Sequence, residues 1–150
     1  MMAPNSAQLD LLEWEPPAVV RAFAPELVRG ATLEARISRA VSVALQECGL
    51  TRQQVAERMT AFLGERVSVP MVNAYASPAR AEHAISLTRF IALVHATGDR
   101  RLLEFLAEPA GLAVVERQHV PLIEVAMIGE RRAELKRREE ALWRQARKGR

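Results

Sequence analysis

The chain has 150 residues, 49% of them apolar, with a formal net charge of +3 and an isoelectric point of about 9.7. That length fits about one domain, and the apolar fraction is large enough to form a core. Cys48 is the only cysteine, which excludes a disulfide within the chain and a cysteine-based metal site. The sequence contains neither an apolar run of transmembrane length nor a signal-peptide pattern, so we expect a cytoplasmic protein with no membrane partner.

Residues 1–30 are predicted to form a flexible N-terminal arm, because four prolines interrupt any helical period there. Within this arm, an apolar cluster on an acidic background contains Gln8, Leu9, Leu11 and Leu12. The cluster either folds back onto the protein's own core or docks on a partner, because exposed apolar groups need a surface to cover them. The pentapeptide at residues 8–12, QLDLL, resembles the motif by which many bacterial proteins bind the replication sliding clamp. This resemblance implies an alternative function, that of a non-enzymatic adaptor.

Residues 31–111 are predicted to form a helix-turn-helix domain, and the fold class is an all-α five-helix bundle followed by a long charged C-terminal helix. Capping residues precede the helices, and apolar residues recur at helical spacing along them. Asp99, for example, is predicted to cap the fifth helix. The predicted helices span residues 32–48, 51–63, 69–76, 87–97 and 100–108. Leu33, Phe62, Ile91 and Leu106 are among the side chains expected to make apolar contacts within the bundle.

Residues 49–77 have the layout of a helix-turn-helix, in which two short capped helices are joined by a tight link. Thr51 with Gln54 three residues later has the pattern of a capping box for the first helix. Ser68 is the expected cap of the second helix. In that second helix, the positions predicted to face the core are Val72 and Tyr75, and those predicted to face outward are Val69, Asn73, Ala74 and Ser77.

A helix-turn-helix binds double-stranded DNA by placing the N-terminal part of its second helix, here residues 68–77, in the major groove. Asn73 can make two hydrogen bonds to an adenine, and Val69 can contact a thymine methyl group. The N-terminus of the first helix offers backbone N–H groups to a phosphate. The DNA-contacting residues predicted in this domain are Arg52, Gln53, Arg66, Ser68, Val69, Asn73, Ser77 and Arg80.

The charge of this segment limits what it can do alone. Residues 49–77 contain three arginines and two glutamates, a net charge of only +1. Counterions released by basic side chains supply most of the nonspecific affinity for DNA, so this segment alone is predicted to bind weakly. We therefore expect the affinity to depend on oligomerisation or on the basic C-terminal tail.

Residues 112–150 are predicted to form a connector followed by the long helix. Within the connector, residues 112–115 are either an extended segment or a short strand. From residue 130 to residue 150 there are nine Lys or Arg and four Glu, a net charge of +5. Three interpretations remain open for this tail: a solvated helix of mixed charge, a dimerising helix, and a basic arm for nucleic-acid phosphates. Dimerisation is predicted to use Ile128, Leu135 and Leu142, and phosphate binding to use Arg137, Arg138, Arg144, Arg147 and Lys148.

Catalytic constellations are not recognisable in the sequence. His83, His95 and His119 are far apart and lack ligand-type neighbours at metal spacing. A glycine-rich phosphate loop is also missing from the sequence. We therefore expect a protein that is not an enzyme and that binds no metal or other cofactor.

The run His83–Gly111, HAISLTRFIALVHATGDRRLLEFLAEPAG, together with residues 49–77, resembles phage and prophage regulators of the lambda CII kind. In that family a helix-turn-helix precedes a segment of the form ISL…F…ALVEATGD…LLD.LA. The overall layout is also similar to small proteins of Mu-like transposable prophages. The resemblance implies a DNA-binding regulator of transcription or transposition that works as a homo-oligomer.

Overall fold

The computed structural model describes residues 18–79 and 84–148, and all regular structure in these ranges is helical. The all-α class and the long C-terminal helix predicted from the sequence are therefore confirmed. Residues 112–115, the candidate connector or strand, belong to no helix or strand. The helices are α1 Leu33–Glu47, α2 Arg52–Leu63, α3 Val69–Tyr75, α4 Leu87–Thr97, α5 Arg101–Ala107 and α6 Val120–Lys148.

Polar side chains satisfy the free backbone N–H groups where the helices begin. At α2, the Thr51 hydroxyl accepts a hydrogen bond from the Gln54 N–H at 3.2 Å, and the Gln54 side chain accepts one from the Thr51 N–H at 2.9 Å. This is the predicted capping box. The cap position of α5 is occupied by Arg100, so the prediction that Asp99 caps this helix is wrong by one residue. The Asp99 carboxylate still accepts from the Arg101 N–H at 3.1 Å.

Two compact units divide the chain, and one of them spans Val20–Val114. Its core surrounds the fully buried side chains of Leu45, Met59, Leu93 and Leu102, which come from four different helices. Phe23 and Val28 are buried in the same core. The sequence pattern predicts a domain that starts at residue 31. The compact unit starts about ten residues earlier, at Val20.

Four side chains predicted to make apolar contacts are about half exposed to solvent instead. Leu33 is the first residue of α1, Phe62 and Leu106 lie in the last turns of their helices, and Ile91 lies on the flank of α4. Neighbouring helices cover these ends and flanks only in part; the Phe62 ring, for example, stacks on the His95 ring of α4 with the ring centres 4.4 Å apart. Several core positions are occupied by alanines, whose small side chains are fully or almost fully buried. The alanines buried there are Ala40, Ala44, Ala56, Ala92 and Ala96.

Charged side chains at the surface of this unit make hydrogen bonds that link α5 to neighbouring parts of the chain. Arg101 donates hydrogen bonds to Asp99 and Glu47, each at 2.7 Å, and its guanidinium lies 4.4 Å from the centre of the Phe23 ring. The hydrogen bond to Asp99 is the main cause of the raised pKa of Arg101. The buried carboxylate of Glu104 accepts from the Val114 N–H at 2.6 Å. These bonds tie α5 to α1 and to the chain that follows it.

The other unit includes residues 115–148 among those described. A 3-10 turn at Arg117–His119 leads into α6, and none of the 29 residues of α6 is buried. Within the described ranges, every helix is too short or too polar to cross a membrane.

Candidate nucleic-acid interface

The turn between α2 and α3 is closed by one side chain. The Thr60 hydroxyl accepts a hydrogen bond from the Val67 N–H at 2.9 Å and donates to the Val67 carbonyl at 3.4 Å. Gly64 ends α2 in the left-handed conformation, with φ of 71°, which glycine adopts without steric cost. Val67 itself is buried. These contacts fix the angle at which α3 leaves the turn.

The outward face of α3 is narrower than predicted. Asn73 is exposed and Val72 and Tyr75 are buried, as expected. Ala74 is only 6% exposed, and Val69 is half-buried against the core, so the outward prediction for these two residues is wrong. The reason is that this seven-residue helix packs against both α1 and α2 and buries most of its circumference. The exposed positions of α3 are Pro70 and Asn73, and Ser77 just beyond the helix, also predicted to face outward, is only half-exposed.

Ser68 has a defined structural role at the start of α3. Its hydroxyl accepts a hydrogen bond from the Met71 N–H at 3.4 Å, as the predicted helix cap does. A hydroxyl group retains one donor hydrogen when it accepts a bond. Ser68 can therefore cap α3 and still donate to a phosphate.

Both polar residues predicted at the start of α2 have partners within the protein. Arg52 donates to the Leu45 carbonyl at 2.7 Å, and Gln53 donates to the Glu57 carboxylate at 2.7 Å. A guanidinium carries five N–H donors, so Arg52 keeps others for a phosphate. The bond to Leu45 also anchors α2 to the end of α1, which holds that arginine in one place.

A groove of about 530 Å³ lies between α2 and the first turn of α3. Exposed Glu57 and Arg66 carry opposite charges there, so the groove offers hydrogen-bonding groups without a strong positive potential. Its lining includes Gln53, Ala56, Glu57, Thr60, Arg66 and Ser68.

Arg89 on α4 supports the position of α3, a role that the sequence pattern does not predict. Its guanidinium donates to the Tyr75 hydroxyl at 2.7 Å and lies 3.5 Å from the Glu65 carboxylate. The bond to Tyr75 is the main cause of the raised pKa of Arg89. This bond braces the end of α3 against α4. The two partners are 14 residues apart, so no helical spacing could have paired them.

Basic and apolar residues predicted for the tail all lie exposed along α6. The α-helical period places residues two apart about 200° from each other around the axis. Arg137, Arg144 and Lys148 share one face by this period, and the face around Leu135 lies opposite. Both sets are open to solvent: the apolar residues Ile128, Leu135 and Leu142, and the basic residues Arg137, Arg138, Arg144, Arg147 and Lys148.

Five predicted contact residues lie outside the described residues. They are Arg80 of the DNA-contact set and the clamp-motif residues Gln8, Leu9, Leu11 and Leu12.

Among the described residues, no three His, Cys, Asp or Glu side chains lie close enough together to hold a metal ion. The chain matches no protein-family model, no curated protein and no solved structure.

Proposed function

We propose that the protein binds double-stranded DNA through α2 and α3, arranged as a helix-turn-helix, and regulates transcription or transposition as phage regulators do. The observation that carries this proposal is the start of α3. There Pro70 and Asn73 are exposed while Val72 and Tyr75 are buried. The exposed face thus lies on a short helix whose start is held in place by the bonds between Thr60 and Val67. Recognition in a DNA groove uses the N-terminal part of such a helix.

The proposed roles follow from what each side chain can still offer. Asn73 reads a base, because its exposed carboxamide carries both the donor and the acceptor that an adenine edge needs. Arg66 and Arg52 contact phosphates on either side. Ser68 and Ser77 position the helix on the backbone rather than reading bases, since the Ser68 hydroxyl already caps α3.

Affinity is proposed to come largely from outside the α2 and α3 pair. The net charge of +1 over residues 49–77 supplies few released counterions. The exposed basic residues of α6 add phosphate contacts, and a second copy of the chain doubles the number of contacts made by one complex. Such a regulator acts where the DNA is, in the cytoplasm of a bacterial cell.

An electrophoretic shift with random and phage-promoter duplexes, at low and at moderate salt, tests the proposal. We expect a shift at low salt that weakens as salt rises, because phosphate contacts are screened. Arg66→Gln is expected to weaken this shift. The matched control is Arg39→Gln, which removes an exposed arginine from α1 and leaves the shift unchanged. No shift at low salt, or equal losses in both variants, contradicts binding through α2 and α3.

A further inference from the structure

Helix α6 carries one continuous strip of residues on a single face. Steps of three and four residues lead from Ile128 to Arg132, Leu135, Glu139 and Leu142, and such steps keep side chains on the same side of a helix. We call these five residues the α6 strip. Three of them are apolar and two carry opposite charges. The three apolar residues alone look like half of a heptad seam. Arg132 and Glu139 lie along one side of this apolar line, and Arg131 and Arg138 lie along its other side.

The apolar members of the α6 strip are open to solvent along its whole length. Ile128, Leu135 and Leu142 are 53%, 50% and 59% exposed, and Trp143 beside them is 60% exposed. Most of the stability of a helix in a protein comes from packing of its apolar face, and none of the residues of α6 is buried. A surface that covers the strip therefore removes apolar area from water and stabilises the helix at the same time.

The two charged residues of the strip select the kind of surface that fits. A parallel pair of α6 helices places Arg132 next to Arg132 of the second copy, and Glu139 next to Glu139 of the second copy. Like charges facing each other in a seam are destabilising. An antiparallel pair centred beside Leu135 instead places each Arg132 next to Glu139 of the second copy. The same register brings Ile128 to Leu142 and Trp143 of the second copy.

We propose that the α6 strip pairs with the strip of a second copy of this chain in antiparallel orientation. The proposal rests on the oligomer in the proposed function and adds its contact surface, orientation and register. The midpoint between Arg132 and Glu139 lies between residues 135 and 136, so a two-fold axis there places each of these opposite charges next to the other. A symmetric pair uses the same patch on both copies, so this symmetry is what an antiparallel two-fold seam demands. The basic face with Arg137 lies on the opposite side and stays open for phosphates.

Thiol cross-linking of the full-length chain tests the orientation. In a Cys48→Ala background, Leu135→Cys alone is expected to cross-link with a short bismaleimide in either orientation and reports pairing. A mixture of Ile128→Cys and Leu142→Cys chains gives the mixed product, which joins residue 128 of one copy to residue 142 of the other, only if the helices are antiparallel. Ile128→Cys alone cross-links only if they are parallel, because positions 128 and 142 are about 21 Å apart along a helix. A mixed product with no Ile128→Cys homodimer is the expected result.

Charge exchange tests the register independently. Arg132→Glu and Glu139→Arg, each alone, are expected to raise the dissociation constant of the dimer about tenfold, measured by sedimentation equilibrium without DNA. The double variant R132E/E139R restores the original contacts between copies and returns the constant to near its wild-type value. In a parallel pair each single variant only exchanges one like-charge pair for another, so neither the single variants nor the double variant is expected to change the constant much. Circular dichroism of each variant establishes that α6 still forms.

Distinct outcomes separate this proposal from DNA binding. A monomeric wild-type chain, or an Ile128→Cys homodimer without the mixed product, overturns the antiparallel seam whatever the chain does with DNA. An antiparallel dimer that gives no electrophoretic shift keeps the seam and contradicts the proposed function. Equal dissociation constants for the wild-type chain and the two single charge variants also overturn the assigned register.

Discussion

Asn73 is the side chain on which the proposed base recognition depends. It is the exposed polar residue of α3, and its neighbours Val72 and Ala74 are buried. Asn73→Ala is expected to cost about 1–3 kcal/mol on the preferred site and to relax the preference for that site. Fluorescence anisotropy with a selected duplex and scrambled duplexes measures both effects. An equal loss of affinity on all duplexes would make Asn73 a contact that positions the protein. If affinity is unchanged, Asn73 is not part of the interface.

Thr60 is the residue that fixes the turn before α3. Replacing it by valine keeps the shape of the side chain but removes the partner of the Val67 N–H. An unsatisfied N–H of this kind costs about 1–3 kcal/mol, so Thr60→Val is expected to lower the free energy of unfolding by that amount. Urea denaturation measures the change. Thr88→Val, at an exposed threonine of α4, is the control and is expected to have a far smaller effect.

The helices themselves are largely predictable from the sequence, because local signals mark their ends. Thr32, Thr51, Ser68 and Ser86 each accept a hydrogen bond from the N–H three residues later, which depends on neighbouring residues alone. Gly98 likewise ends α4 where the pattern predicted. Bounds set by such local bonds are encoded within a few residues, so sequence reasoning recovers them.

The faces of the helices are less predictable, because they depend on which neighbours are present. Ala74 is buried since α3 packs on two helices, and nothing within residues 68–77 encodes the second neighbour. Phe23 joins the core from a proline-rich stretch without helical period, and its ring contacts Arg101 from a distant part of the chain. The sequence accordingly predicts the bounds of α3 to within a residue, but not how much of its surface is buried.

Two glycines are expected to respond oppositely to alanine. Gly98 has a φ of 71°, which alanine adopts only with strain, so Gly98→Ala is expected to destabilise the protein by about 1 kcal/mol in thermal unfolding. Gly129 lies inside α6, and a methyl group there meets no atom within 4 Å. Gly129→Ala is expected to stabilise α6 by about 0.5–1 kcal/mol, seen as slower amide hydrogen exchange. Faster exchange in that variant contradicts a regular helix through residue 129.

At the scale of the whole molecule, the distribution of charge predicts how DNA binding responds to salt. Each phosphate that the protein no longer neutralises reduces the slope of log affinity against log salt by about 0.9. Replacing the exposed Arg137, Arg144 and Lys148 by glutamine is therefore expected to reduce the slope by about 3 if all three contact phosphates. Replacing Arg21 and Arg29, exposed arginines near the start of the described chain, is the control. An unchanged slope in the α6 variant leaves that helix without a role in phosphate binding.

The measurement that tests the central claim most directly is an NMR titration of the isotope-labelled full-length chain with a DNA duplex. Binding through α2 and α3 predicts that amide shifts concentrate at residues 51–54 and 66–77, where the exposed start of α3 and the capped start of α2 lie. Core amides such as that of Leu93 are expected to stay in place. Shifts confined to α6, or no shifts at low salt, contradict DNA binding through α2 and α3.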